Sequence, residues 1–454
     1  MLLRDCGMDV FAGAYGDKRR AAAVGRLSER IIGCGSVVIR EVGETRKGEI
    51  AAHRVLGSCH VTPGETLQCV ARATSASCAG RRIVVAQDTT ELNFPGRIRR
   101  GLGKAGRLGE TPGFFIHAAI AVDADDEAVA GLMDARIWTR RQQAHAPRRQ
   151  RDITAKESHR WLQTARRAGE HLSEARQIIV VGDRENDIYA AFVQRPANVE
   201  LIIRAAQDRT LADGGKLFAA PQAWTELGRQ IVRVPSRGPG DKGRDAVVGL
   251  RAGIVRVCRP THDRVGSGPS EVMLTLVEAR EIGAPPGVAP LHWRLLTTLP
   301  ARTVAEASEV VRLYRLRWRI EQTFRMLKND GLKLNECQTH DPWRLFNLAA
   351  LALDAAVKII QLVDARDGSN RPASDVASEP EIAAAKALCP TLEGKTDRQR
   401  NPHPIGSLGW LSWIAARLGG WNCYYKPPGP KTMHRGWDRL RTIAIGFSLA
   451  PSSA

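Results

Sequence analysis

The chain reads as an α/β protein, a mixed sheet set between helical ends, on three observations. Two β-branched runs, RRIVVAQD (81–88) and IIVVGD (178–183), each end in an aspartate. Helical patterns flank and separate such runs. The composition is that of a packed globular chain, with 43% hydrophobic and 25% charged residues over 454 positions, enough length for a sizeable core and for about three domains.

Taken in order, residues 15–80 read as helices. Asp17 is placed to cap KRRAAAVGRLSERII, and GETRKGEIAAHRVL and TPGETLQCVARATSA continue the pattern. From 81 the period changes. RRIVVAQD is a buried strand, and FFIHAAIAVDADDEAVAGLMDARIW (114–138) is two strands around an acidic turn at 123–127. KESHRWLQTARRAGEHL is helical, IIVVGD a strand, NDIYAAFVQR helical and VELIIRA a strand. Strand, strand, strand, helix, strand, helix, strand is the order of a ribonuclease-H-like sheet. Residues 207–292 carry short β-like runs such as RQIVRVP and AGIVRVCR and read as a β-rich insertion. A strand at 292–300 and one long helix over 303–329 follow. Residues 366–404 read as a linker or mobile helix pair, and 405–449 as an apolar, Trp-rich tail for docking or dimerisation. The predicted division is 1–80, 81–206, 207–292, 293–365 and 366–454.

Lys and Arg number 67 against 48 Asp and Glu, a net charge of +19. Such an excess points to a polyanionic partner, nucleic acid first, and fits poorly with an enzyme of neutral metabolites. The basic run RIWTRRQQAHAPRRQR (136–151) reads as a DNA groove. Nine cysteines without CxxC spacing exclude a zinc ribbon and read as reduced thiols. No apolar leader is visible in MLLRDCGMDV, and Asp354 and Lys358 interrupt the apolar stretch 345–363. The expectation is a soluble cytoplasmic protein without a membrane span. Gly101, Gly103 and Gly106 form a GxGxxG, but no strand directly precedes it, so nucleotide binding is set aside.

Asp88 and Asp183 at strand ends are the candidate chemistry. A buried acid is costly unless compensated, and a metal ion would compensate both. On a single helix Tyr314, Arg317, Glu321 and Lys328 fall within about 60° of one face, an arrangement in which a carboxylate holds metal and cations hold phosphates. A solvated face of charge pairs is the alternative. Glu185 and Asp187 read as a solvated first helical turn.

QDTTELNF (87–94), VGDRENDIYA (181–190) and YRLRWRIEQTFRMLK (314–328) resemble the three signatures of bacterial insertion-sequence transposases with a DDE triad. The third matches the YREK motif, Y-x2-R-x3-E-x6-K, of insertion sequence family four, the Tn-five transposase type. KESHRW (156–161), GLGKAGRLG (101–109) and ARLGGWNCYYKPPGPKTMHRGWDRL (416–440) extend the likeness over most of the chain. YGDKRRAAAV (15–24) resembles the family's N-terminal LGD-x-RR-x-x-R-L segment, with Tyr15 for Leu and Ala23 for Arg. The resemblance implies a ribonuclease-H-like catalytic core with a β-rich insertion, a helical N-terminal domain that binds DNA ends and a helical C-terminal dimerisation region. It implies Asp88, Asp183 and Glu321 as ligands of two Mg2+ ions, for which Mn2+ can substitute, and Tyr314, Arg317 and Lys328 as phosphate holders. Trp293 would stack on a flipped base, with Trp318 packed nearby. The implied partners are double-stranded DNA, both transposon ends and target, and a second copy of the chain. A silent DNA-binding remnant and a phosphotyrosine recombinase using Tyr314 are the rival readings.

Overall fold

Helices form at the N-terminal side where the capping residues start them. The computed structural model describes residues 10–95, 101–106, 111–140, 153–234, 243–261, 268–328 and 331–449. The chain divides into two units. One comprises Met1–Ala79, Thr89–Gln142 and Arg319–Ala454, the other Gly80–Asp88 and Gln143–Trp318.

In the first unit, helix α1 (Lys18–Cys34) begins at Asp17, whose side chain accepts from the Arg19 and Arg20 N–H groups, as its sequence predicts. It stops at Gly35 in the left-handed region, where a Cβ would lie 1.9 Å from His434 Nε2. Short α2 (Ile39–Gly43), then α3 (Arg46–Leu56) and α4 (Pro63–Cys78) follow; Thr45 and Thr62 cap the latter two. Tyr15 is buried, and its hydroxyl meets Thr66 Oγ1 at 2.8 Å. A leucine could not make that bond to α4.

Strands β2 (Gly103–Ala105), β3 (Thr111–Asp123) and β4 (Val129–Trp138) pair antiparallel, the last two around the expected acidic turn. Helix α9 (Pro342–Ala365) packs on β4, α1 and α4. It is long and apolar enough to cross a bilayer, with a mean hydropathy of 1.7, yet 83% of that window is buried inside the protein. Its polar residues are bonded within: Asn347 Nδ2 donates to the Leu56 and Val61 carbonyls, and Gln361 Nε2 to the Ala130 carbonyl, all at 2.9 Å. Each Leu or Ile buried on this helix contributes about 1.5–3 kcal/mol. Residues 366–404 include α10 (Glu379–Leu392), started by a Ser378–Glu381 capping box. α11 (Leu408–Leu418) and α12 (Pro430–Leu449) pack on it and on each other. Gly436 makes the α11–α12 crossing possible, since a Cβ there would sit 1.5 Å from the Ala415 carbonyl oxygen.

In the second unit the sheet is mixed. β1 (Arg82–Asn93, in this unit as far as Asp88) runs parallel to β5 (Gln177–Gly182), and β5 parallel to β6 (Val199–Arg204). β10 (His292–Thr297) turns antiparallel, and β9 (Glu271–Glu281), β8 (Arg244–Cys258) and β7 (Gly228–Val234) continue so. The β-rich stretch thus extends the sheet through β10. Helices α5 (His159–His171) and α6 (Tyr189–Val193) belong to the parallel part, and α7 (Val304–Arg315) packs across β5 and β7 to β9.

The single helix expected over 303–329 is interrupted. α7 ends at Arg315, and α8 spans Trp318–Lys328. Between them the Leu316 and Arg317 N–H groups bond back only three residues, to Leu313 and Tyr314. Such bonds tighten the last turn and break the 3.6-residue ladder, so the one-face reading does not carry across the junction.

Candidate active site

Asp88 and Asp183 owe their places to the parallel pair β1–β5. The register runs Arg82↔Gln177 to Ala86↔Val181. Continued by two residues, it sets Asp88 against Asp183, and the period of two puts both on one face. The C-terminal ends of parallel strands are where open α/β sheets place their ligands. Both aspartates are half-buried. Gly182 lets the chain turn sharply there, because a Cβ would meet Asn186 Nδ2 at 2.4 Å. Asp183 then caps the short turn Arg184–Asn186, accepting from the Glu185 N–H at 2.8 Å.

Arg317 Nη1 donates to Asp88 Oδ2 at 2.9 Å. The guanidinium groups of Arg204, at the end of β6, and Arg317 both act electrostatically on the Tyr314 hydroxyl. Burial pushes the Tyr314 hydroxyl above the usual tyrosine range, against the pull of Arg317 and Arg204, with Asp183 adding to the rise. Burial likewise lowers Arg204. Tyr314 is only 1% exposed, and buried Trp293 stands edge-on to it at 5.3 Å between centroids. Sequence reasoning missed Arg204. Its signal was available: a lone cation ending the apolar run VELIIR.

Asp187 departs from its expectation as a solvated turn residue. Its side chain is fully buried against Arg209 at 2.6 Å. Its Oδ2 accepts from the Ala206 and Gln207 N–H groups at 2.8 Å, so it ties the turn after β5 to the loop after β6. Glu185 is exposed and pairs with Arg160 at 2.8 Å. The loop after β6 borders an open cleft lined by Arg184, Arg204, Ala205, Ala206, Phe218, His292 and Arg294.

Trp318, the last residue of this unit, is half-buried at the start of α8. Glu321 and Lys328 belong to the other unit, in the first and last turns of α8. Both are half-buried. Burial holds the Lys328 ammonium below the ordinary lysine range, partly offset by Glu91.

Among the described residues no three His, Cys, Asp or Glu side chains form a ready metal cluster. The donor chemistry nonetheless fits a hard divalent ion: Asp88 and Asp183 offer carboxylate oxygens in register on one sheet face, with no thiolate beside them. Residues 141–151 of the basic run and 107–109 of the glycine segment lie outside the described residues.

Residues 135–357 match the family model of the transposase DDE domain. The matched range holds Asp183, Trp293, Tyr314, Arg317, Trp318, Glu321 and Lys328, and begins after Asp88. The mixed sheet fits that domain. The matched domain indicates a DDE transposase, an enzyme of metal-dependent phosphoryl transfer on DNA.

Proposed function

We propose that this chain moves its own DNA element by cut and paste. It hydrolyses DNA at terminal inverted repeats and transfers the freed 3′-hydroxyl ends into target DNA. It works as a homodimer in the cytoplasm. The observation that carries the reading is the register that sets Asp88, within β1, against Asp183, just past the end of the parallel strand β5, with Arg317 bonded to Asp88.

Asp88, Asp183 and Glu321 would hold two Mg2+ ions, and Mn2+ can substitute. When bound, such ions would supply Lewis-acid activation of a water or 3′-hydroxyl and charge stabilisation at the leaving oxygen. The chain's own part is positioning. Arg317 and Lys328 bind phosphates by charge-assisted hydrogen bonds, with Tyr314 beside them. Trp293 receives an unstacked base, and Trp318 packs nearby. The helices of 10–79 bind the element ends. The C-terminal helices supply the dimer contact, where Ile445 and Phe447 are 64% and 53% exposed.

Tyr314 as a covalent nucleophile is disfavoured by its burial and by a hydroxyl pushed above its usual range. The test is cleavage of a supercoiled plasmid carrying the DNA that flanks the gene, by wild type and Asp88→Ala, each with Mg2+ or EDTA. Mg2+-dependent breaks at the element ends, absent in the mutant, are expected. Specific binding without breaks would favour a DNA-binding remnant. Breaks surviving EDTA would favour a phosphotyrosine enzyme.

A further inference from the structure

We propose that Asp364, acting through Arg319, is a positioning residue for Glu321; the proposal rests on the reading that Glu321 is a metal ligand. Arg319 and Glu321 share the first turn of α8, and Asp364 sits in the last turn of α9, within the same unit. Arg319 Nη1 meets Asp364 Oδ1 at 2.6 Å, with side-chain exposures of 26% and 3%. Arg319 Nη2 also donates to the Glu127 carbonyl at 3.3 Å. Glu127 lies in the turn between β3 and β4 at φ 58°, a conformation that side-chain-bearing residues rarely adopt. One guanidinium thus joins the metal-ligand helix to a sheet turn and to the core helix.

Stability is a poor reason for this arrangement. A negative charge at a helix C-terminus opposes the helix dipole. Burial pushes the Asp364 carboxyl up to about 6, despite Arg319. Apolar residues of similar size would pack there at lower cost. Geometry is a better reason. Rotating α8 by 20° about its axis would move a side-chain carboxylate by about 2 Å, whereas metal ligands tolerate only about 0.2 Å. A guanidinium tied to acceptors on two other elements, two residues from Glu321, removes that freedom.

The test uses the full chain with Asp364→Asn, which keeps shape, and Arg319→Lys, which keeps charge. Three quantities are measured: hydrogen exchange of the metal-free protein at residues 320–323, the Mg2+ concentration for half-maximal cleavage, and DNA-end binding in EDTA. Exchange in the first turn of α8 should quicken while the middle of α9 is unchanged. The Mg2+ requirement should rise about 10–100-fold, as for other groups that orient a ligand. End binding should be unaltered. A lower melting temperature with unchanged exchange and unchanged Mg2+ requirement in both variants would overturn the proposal. If Asp364→Asn fails to fold, Arg319→Lys alone decides by the same two readings. Glu321→Gln separates the premises: if it still cleaves, the reading of Glu321 fails, and if it is silent while Asp364→Asn behaves as wild type, only the positioning role fails.

Discussion

The Arg317 guanidinium holds the Asp88 carboxylate at 2.9 Å, and the two side chains retain 10% and 19% exposure. The same arginine pulls the buried Tyr314 hydroxyl toward ionisation. A divalent ion at Asp88 would therefore arrive where a guanidinium already compensates the charge, and Arg317 would turn its donors to phosphate. In metal-free buffer Arg317→Ala and Asp88→Ala should each lower unfolding free energy by about 1–3 kcal/mol. The double variant should lose less than the sum, because the groups share one interaction. Urea unfolding of the four proteins measures this, and strict additivity would contradict the coupling.

Asp88→Ala, Asp183→Asn and Glu321→Ala should each abolish cleavage and leave most DNA affinity. Asparagine is chosen at 183 because it can still accept the Glu185 N–H that Asp183 now holds. Cleavage above background in any one variant, alongside normal gel-shift binding, removes that residue from the ligand set.

Lys328→Ala should weaken end binding and reduce the slope of log K against log salt by about 0.9, one phosphate's share. A slope equal to wild type would assign Lys328 to its neighbour Glu91 alone.

Trp293→Ala should lower stability by about 3–5 kcal/mol, the usual loss for a buried indole. Rates of steps that need a distorted end should fall further than binding does. Equal losses in rate and binding would leave Trp293 as the packing partner of Tyr314.

Asp364 gives a pH signature. Its folded value, about 6, stands above the ordinary 3.8. The folded protein therefore binds more protons at this site between those values. The stability it contributes is complete below pH 3.8 and is lost as pH rises through 6. On going from pH 7 to pH 4, wild type should gain up to about 3 kcal/mol relative to Asp364→Asn. Paired denaturant titrations at the two pH values read this difference, and a constant gap would refute the shift.

The edge of burial was the most legible feature, because an aspartate one residue beyond a run of four apolar residues marks it at both 88 and 183, although β1 does not end at Asp88 as its sequence suggests but continues to Asn93. Asp17 was equally legible as a cap, being a local contact. The register joining Asp88 to Asp183 was not, since pairing across nearly a hundred residues leaves no local trace. Asp187 looked like a solvated acid because its partners, Arg209 and the 206–207 backbone, come from another strand's loop. The interruption at Leu316–Arg317 escaped because neither residue breaks helices; only the bonding of the turn reveals it. Arg204 and Asp364 escaped for one reason, that a lone charge in an apolar run gives no hint of which element will receive it.

The last helix closes on the first. His434 Nε2 lies 3.2 Å from the Ile32 carbonyl, and Arg441 Nη1 donates to the Glu29 carbonyl at 2.6 Å, across 402 and 412 residues. At a synthesis rate of about 5–20 residues per second, helix α1 waits on the order of 20–80 s on the ribosome before these partners exist. During that interval its basic face and its unmet apolar face are both open to other occupants, so translation speed becomes a variable in how much mature enzyme a cell accumulates. A nascent chain stalled short of residue 430 would display its amino-terminal helices without the lid that the finished molecule gives them.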